Sequence, residues 1–348
     1  MDKDAPAHPT KGDWRVGFIN DTLHTNAKKK MGDAIVGRFA PSPSGRMHLG
    51  NIFAALMSYG SAKSRGGKWL LRIEDLDRQR CRPEYSAQIV DDLAWMGLVA
   101  DEGAGAATDG GHGPYYQSER DGIYAEEFRK LQTSGLAYEC FCRRQDLTAA
   151  SAPHASDGHT IYARTCLTLS EAEKEELRKK RKPAWRMMLP DEESTVVDGH
   201  YGAQRANLAK DRGDFILRRA DGNYAYQLAV VVDDALMGVN EVVRARDLLS
   251  ASHEQSYLLR ELGYAAPSYC HFPLLVAPDG SRLSKRERSL AMDKIRERLR
   301  PVELVGLMGW WAGFQTSWRP MSVGEFVEAF DWGKVPTADI VVDPGEVV

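Results

Sequence analysis

Nowhere does this sequence approach the ~20 consecutive apolar residues that a membrane-spanning helix needs. Its polar N-terminus, MDKDAPAHPTKGDWRVGF, has no apolar core of a secretory signal. We therefore expect a cytoplasmic protein with no membrane partner. Cysteine is scarce, five in 348 residues and irregularly spaced, which excludes a disulfide framework and fits a reducing compartment. Excess positive charge is missing too. The formal net charge is −3, so a nucleic-acid partner would need a local basic face. Two basic runs exist, Lys28-Lys29-Lys30 and Arg178-Lys179-Lys180-Arg181-Lys182, and each also reads simply as solvated surface charge. No internal repeat is present. The Gly/Ala-rich stretch DEGAGAATDGGHGP is a poor dinucleotide fingerprint, because no strand leads in and no helix start follows, so it reads as a flexible surface loop.

What is present is a globular composition, 43% hydrophobic and 27% charged, long enough for two or three compact units. Residues 1–33 carry no sustained periodicity and read as a loosely ordered extension, or as a start assigned too early, since Met31 stands just before the first strong strand. From Ile35 the pattern is strand (IVGRFA), turn (PSPSG) and helix (HLGNIFAALMSYGSAKSR), the helix having Leu49, Ile52, Phe53, Leu56 and Met57 at 3.6-residue spacing. A second strand, KWLLRIEDLD, completes a parallel strand–helix–strand unit. Helices are expected from Arg82 to Gly97, over 120–136, and over the charged SEAEKEELRKKRK. Residues 184–224 alternate in short pieces, like an antiparallel insertion. YAYQLAVVVDD reads as a buried strand, and the remainder as mainly helical.

The stretch GRFAPSPSGRMHLGN, Gly37 to Asn51, asks for a ligand. A strand running through a turn into a helix start presents backbone N–H groups and the positive end of a dipole at the carboxyl edge of a sheet, where phosphate binds. His48 is placed to donate to a phosphate oxygen, and Gly50 lets a base or ribose lie against the backbone. Far downstream, GSRLSKRERS offers mobile cations to a polyphosphate.

The pairing of HLGN with RLSKR resembles the two signatures of class I aminoacyl-tRNA synthetases, His-Ile-Gly-His and Lys-Met-Ser-Lys-Ser. With RFAPSPSGRMHLGN, RIEDLDRQR and YQLAVVVDDALMGVNEVVRARDLL in order, the chain is similar to the glutamyl branch from about Val36 to its end. Within that branch it most resembles the truncated synthetases that act on queuosine in tRNA(Asp). The resemblance implies an α/β fold: a Rossmann-like parallel-sheet core, an inserted zinc-containing subdomain and a small helical C-terminal region. Its expected divisions are the 1–33 extension, 34–136 and 214–264 as the two core halves, 137–213 as the insert, and 265–348 as the signature loop with helices, without an anticodon-binding domain.

The resemblance also implies roles. Arg38 and Arg244 would offer guanidinium forks to the two carboxylates of glutamate. Glu74 would hold its ammonium, Ser42 and the Ala40 backbone would form the floor, and Tyr226 a wall. Arg38 has Asp75 as a competing partner, and Tyr226 has an alternative reading as core. ATP, with Mg2+, would meet His48, Gly50, Ser284 and Lys285. The catalytic set is His48, Asn51 and Lys285, with Asn51 and Arg282 replacing the second His and the first Lys of the signatures. Glutamyl-adenylate would form and pass glutamate to an acceptor tRNA, tRNA(Asp) favoured. Where longer relatives have asparagine this chain has Val230, which supports that acceptor. Cys140, Cys142, Cys166 and Tyr162 match the branch's structural zinc site, with His154 and His159 as rivals for the fourth ligand and three unrelated buried cysteines as the alternative. Cys81 and Cys270 read as apolar fillers. A monomer is expected. Competing readings are a truncated glutamyl-tRNA synthetase charging tRNA(Glu), a non-catalytic tRNA-binding relative, and an ATP-using ligase with a small-molecule acceptor.

Overall fold

A strand, a turn with two prolines and an amphipathic helix lead the chain into its first parallel pair. β1 (Val36–Phe39) and β2 (Lys68–Leu71) run in register from Val36 opposite Lys68 to Phe39 opposite Leu71, with α1 (Leu49–Lys63) crossing between them. The computed structural model describes residues 34–143, 161–281, 283, 290–343 and 345. The expected 1–33 extension, its Lys28–Lys30 run, His154, His159, Arg282, Ser284 and Lys285 lie outside the described residues.

α2 (Pro83–Met96) starts with Pro83 in its first turn and stops at Gly97, whose φ of 81° makes a left-handed cap. The Gly/Ala-rich stretch is not wholly loop. It opens with β3 (Glu102–Gly103), parallel to β2, and Gly103 has a φ of 114° where a Cβ would run into the Leu71 carbonyl. A two-residue strand leaves no periodic signal, which is why it reads as loop.

α3 (Asp121–Thr133) follows, then the insertion begins with β4 (Ala137–Cys140). α4 (Glu171–Lys180) carries a Ser170/Glu173 capping box. β5 (Ala184–Met187) is antiparallel to β4, β6 (Glu193–Asp198) and β7 (Gly202–Asn207) form a hairpin, and β8 (Ile216–Arg218) pairs with β5. Thus a strand beyond residue 213 belongs to the insert's sheet.

The expected strand YAYQLAVVVDD is instead α5 (Tyr226–Leu236). Leu228 to Asp234 are all buried, so no polar face marks the helical period, and a short apolar run of this kind does not distinguish strand from helix. Strands appear where helix was expected: β9 (Glu241–Ala245), then α6 (Ala251–Leu262), then β10 (Ser268–Phe272) parallel to β9. β6 joins the outer edge of β10 through a Tyr269–Asp198 bridge. β11 (Leu275–Val276), α7 (Met292–Arg298), α8 (Pro301–Trp311), α9 (Val323–Ala329) and β12 (Ile340–Val341) complete the described chain.

Asn240 ties the two parallel sets together. Its N–H donates to the Val36 carbonyl (3.1 Å), its Oδ1 accepts from Val36 N–H (2.8 Å), and its carbonyl accepts from Ser268 N–H (2.9 Å). β1 therefore lies beside β9, and the strand order reverses there. An open parallel sheet binds ligands outside the carboxyl ends of its strands at such a switch point. α1 is buried under one face of that sheet together with α8 and α9, while α3, α5 and α6 enclose a second apolar cluster with the insert. Among the described residues no helix is long and apolar enough to cross a membrane.

Candidate active site

The carboxyl ends of β1 and β9 open into a cleft of about 720 Å³, the size of a small-ligand site. Arg38, Ala40, Ser42, Glu74, Tyr226 and Arg244 all line it, as do His48, Gly50 and Asn51. Nine residues named from the sequence are thereby brought together. Tyr226 is 38% exposed at the first turn of α5, a wall of the cleft and not core. Val230, 1% exposed, belongs to the apolar cluster behind α5 and does not line the cleft.

Beneath the cleft lies a buried charge network. Asp234 accepts from Arg38 Nε (3.3 Å) and from a terminal nitrogen of Arg72 (2.7 Å), and Arg72 also donates to Glu74 Oε1 (3.1 Å). Next to it, Asp233 accepts from Arg120 Nε (2.7 Å), Tyr124 OH (2.9 Å) and Gln117 (2.8 Å). Three arginines face three carboxylates, so the buried charges cancel, as burial requires. Asp75, the competing partner for Arg38, is occupied by the N–H and hydroxyl of Ser118.

This arrangement sets what each group offers. Arg38 lines the cleft and is anchored through Nε alone, with no other hydrogen bond to a described residue, which leaves its terminal nitrogens for a ligand. Burial disfavours the Asp234 carboxylate, but Arg38 and Arg72 outweigh it and hold that carboxyl below its ordinary range. For Glu74 burial prevails over the same two arginines and pushes the carboxyl up. A bound ammonium would favour its ionised form.

Arg244 differs from Arg38. Its Nε donates to His271 Nε2 (2.9 Å), one terminal nitrogen to Gln255 Oε1 (2.7 Å), and the other to Leu248 O (3.1 Å) and Ser252 Oγ (2.9 Å). Among the described residues four of the five guanidinium N–H groups are thus committed, which leaves one for a ligand and not the fork expected from sequence.

At the start of α1, His48 is the N-cap residue. Its Nδ1 accepts from Gly50 N–H (3.2 Å), which in the neutral ring places the proton on Nε2. Asn51 Oδ1 accepts from His48 N–H (3.1 Å) and completes a capping box, so the amide that replaces the signature's second histidine orients the first. A Cβ on Gly50 would sit 3.3 Å from the His48 ring. The flanks of the second signature converge here too. Leu283 and Ala291 line the cleft, Leu49 N–H donates to Leu290 O (3.1 Å), and Met292 N–H donates to Met47 O (3.0 Å).

A second constellation lies in the insert. The sulfurs of Cys140, Cys142 and Cys166 lie within 4.8 Å of one another. The Tyr162 hydroxyl is 3.4 Å from Cys140 Sγ and 3.5 Å from Cys142 Sγ, and the Arg186 guanidinium lies 3.9 Å over its ring. Burial would push the Cys166 thiol up, but the Tyr162 hydroxyl and Phe141 N–H outweigh it and hold the thiol below its ordinary range. Three soft sulfurs and a phenol oxygen around one point suit a closed tetrahedral zinc site. Of the other cysteines, Cys270 is buried in β10, and Cys81 is half-buried with its thiol 3.9 Å from the Glu74 carbonyl. The basic run of α4 is partly neutralised, since Arg178 pairs with Glu139, Glu171 and Glu175, and Lys179 with Glu176.

Sequence reasoning passed over Arg72, Asp233 and Asp234, although two aspartates closing an apolar run are themselves a signal of paired buried charge. Asp198, His271, Gln255 and Ser252 have no local signal, because only strand packing brings them to Arg244.

A parallel sheet, a His-x-Gly-Asn helix start at its switch point and the described flanks of a distant basic signature beside it define a class I synthetase-type ligase. The sequence matches the family of tRNA synthetases class I (E and Q), catalytic domain, over residues 34–315, and the chain belongs to that family. It is 42% identical to a glutamyl-Q tRNA(Asp) synthetase of Symbiobacterium thermophilum, over 90% of this chain and 97% of that protein. It is 43% identical to a glutamate–tRNA ligase 2 of Alkalilimnicola ehrlichii, over 75% of this chain but 54% of that one. Its structure resembles a glutamate tRNA ligase from Elizabethkingia meningosepticum solved with its amino acid, with a TM-score of 0.77, 27% identity, and 90% of this chain and 68% of that one covered.

Proposed function

We propose that the enzyme activates L-glutamate with ATP to glutamyl-adenylate and transfers the glutamyl group to the queuosine base in the anticodon loop of tRNA(Asp). The observation that carries the donor half is the charge pattern of one cleft. Arg38 offers a terminal fork, Arg244 a single N–H, and Glu74 an open carboxylate oxygen, which complements two carboxylates and one ammonium. The acceptor half is supported by similarity that extends over 97% of the glutamyl-Q relative.

In the first step a carboxylate oxygen of glutamate attacks the α-phosphorus of ATP and pyrophosphate leaves. In the second a queuosine hydroxyl attacks the mixed-anhydride carbonyl, and AMP leaves. Neither step needs a covalent enzyme intermediate, so positioning and charge stabilisation supply the catalysis. Arg38, Arg244 and Glu74 clamp the amino acid, with the Ala40 backbone, Ser42 and Tyr226 as floor and wall. His48 donates from Nε2 to the α-phosphate, Asn51 holds its backbone, and Gly50 makes room. Lys285 neutralises charge on the departing pyrophosphate, with the Ser284 hydroxyl beside it to donate a hydrogen bond, and Mg2+ bound to ATP would add to that neutralisation. Cys140, Cys142, Cys166 and Tyr162 would hold zinc, which would supply a cross-link within the insert. The enzyme acts as a cytoplasmic monomer built of an extension, two core halves, an insert whose sheet takes in β8, and a helical end, the second core half running on through β10.

ATP-dependent incorporation of labelled glutamate tests the reading. Queuosine-containing tRNA(Asp) is expected to take up label, while the same tRNA without queuosine and tRNA(Glu) do not. Label on tRNA(Glu) alone would replace the acceptor with that of a conventional synthetase.

The raised Glu74 pKa adds a pH dependence. The carboxylate that receives the ammonium is lost as pH falls through that raised value, so the KM for glutamate should climb on the acid side while the KM for ATP does not. Glu74→Gln should raise the glutamate KM at neutral pH and flatten this acid limb. A variant that keeps the wild-type acid limb would show that another group is responsible.

A further inference from the structure

The side chains behind Arg244 form a directed chain that reaches into the inserted hairpin. An arginine Nε–H can only donate, so His271 Nε2, 2.9 Å away, must accept. The ring proton then sits on Nδ1 and is donated to Asp198 Oδ2 at 2.6 Å. Asp198 is itself held at the β6–β7 turn, where its Oδ1 accepts from the backbone N–H groups of His200 (3.0 Å), Tyr201 (2.9 Å) and His271 (3.3 Å). Both side chains of the Asp198–His271 pair are fully buried. The Tyr269 ring, stacked on His271, lies 5.3 Å beneath the Arg244 guanidinium.

We infer that His271 and Asp198 are positioning residues for substrate binding: Asp198 fixes the tautomer and attitude of His271, and His271 fixes the Arg244 guanidinium so that its one uncommitted N–H points at the substrate. The inference rests on the reading of Arg244 as a substrate arginine. Two features separate this role from ordinary packing. The histidine tautomer is dictated from both ends, because the opposite tautomer would set an N–H against the Arg244 N–H. The chain also crosses from the insert to the core at the only bridge between β6 and β10, so the hairpin turn serves as the outer support of a cleft residue.

Removing the partner that orients a metal-ligating side chain costs roughly 10- to 100-fold, and a support that orients a binding arginine is expected to act on the same scale. The test is steady-state pyrophosphate exchange with the full chain, with KM for glutamate and for ATP measured separately. His271→Gln places an amide oxygen near the Nε2 position and should keep the glutamate KM within a few-fold of wild type. His271→Asn, whose amide stops short at the Nδ1 position, should raise it tenfold or more with the ATP KM unchanged. Asp198→Asn is a second, isosteric variant that lies outside the cleft, and it should move the glutamate KM in the same direction. Glutamate and ATP KM rising together, or His271→Gln no better than His271→Asn, would overturn the inference. Arg244→Ala separates the two levels. An unchanged glutamate KM there overturns the reading of Arg244 and the inference with it. A raised KM there, beside unaffected His271→Asn and Asp198→Asn, overturns the inference alone.

Discussion

Asp234→Asn is expected to lower folding stability by about 3 kcal/mol and to raise the KM for glutamate at least tenfold. Among the described residues the carboxylate of Asp234 is the only anion bonded to both Arg38 and Arg72, and Arg72 is fully buried. An amide of the same shape keeps the packing but leaves three buried guanidinium groups facing two carboxylates. Breaking a buried pair in this way costs about 3–5 kcal/mol, and the lower end applies because Glu74 and Asp233 still face Arg72. The same change frees Arg38, whose Nε has no other partner among the described residues. Its terminal nitrogens lose their fixed aim into the cleft, and preorganised binding is lost with them. Urea unfolding reads the first effect and pyrophosphate exchange the second. A variant with wild-type stability and wild-type glutamate KM would show that the network neither holds the fold nor aims Arg38.

Removal of zinc is the second large expected effect. The purified protein should carry one equivalent of the metal. Cys140→Ser, Cys142→Ser and Cys166→Ser should each bring the content toward zero, with a lower melting temperature. If free zinc exceeds the dissociation constant roughly a thousandfold, mass action alone makes the loaded form about 4 kcal/mol more stable than the stripped one. Because Cys140 ends β4, where it is hydrogen-bonded into the insert's sheet, the loss should spread into that sheet. Tyr162→Phe separates the candidate fourth ligands. It should weaken zinc retention against a chelator, while His154→Ala and His159→Ala should not. Full retention in Tyr162→Phe would assign the fourth position elsewhere, and the absence of metal from the wild-type protein would leave the cluster as three buried thiols.

The parts of this site legible in the sequence share one property: each lies in a stretch whose local chemistry is unusual. Two prolines and two serines between a strand and a helix have no use in a plain connection, and they announce the cleft. Cys140 and Cys142, two apart with Cys166 downstream, announce the cluster of three thiols that the fold does assemble. Capping pairs such as Ser170 with Glu173 mark helix starts without any knowledge of the fold. The errors share a property too. In VVVDD burial on all sides removes the polar face that would reveal a helix, and in EVVRA burial on both faces removes the alternation that would show a strand. Arg244 was therefore named as a residue of the cleft it does line, while its element was misread.

Local sequence determined where the cleft-lining turn lies, which helix carries His48, and which cysteines cluster, because those features depend on residues a few positions apart. The tertiary structure alone decided how the two arginines differ. Arg38 and Arg244 are chemically the same side chain. One meets a single carboxylate brought from 196 residues away, and the other meets His271, Gln255, Ser252 and a backbone carbonyl gathered by β9, β10 and α6. How many donors a guanidinium has left for a ligand is set by the acceptors that folding places around it, and no reading along the chain contains that number.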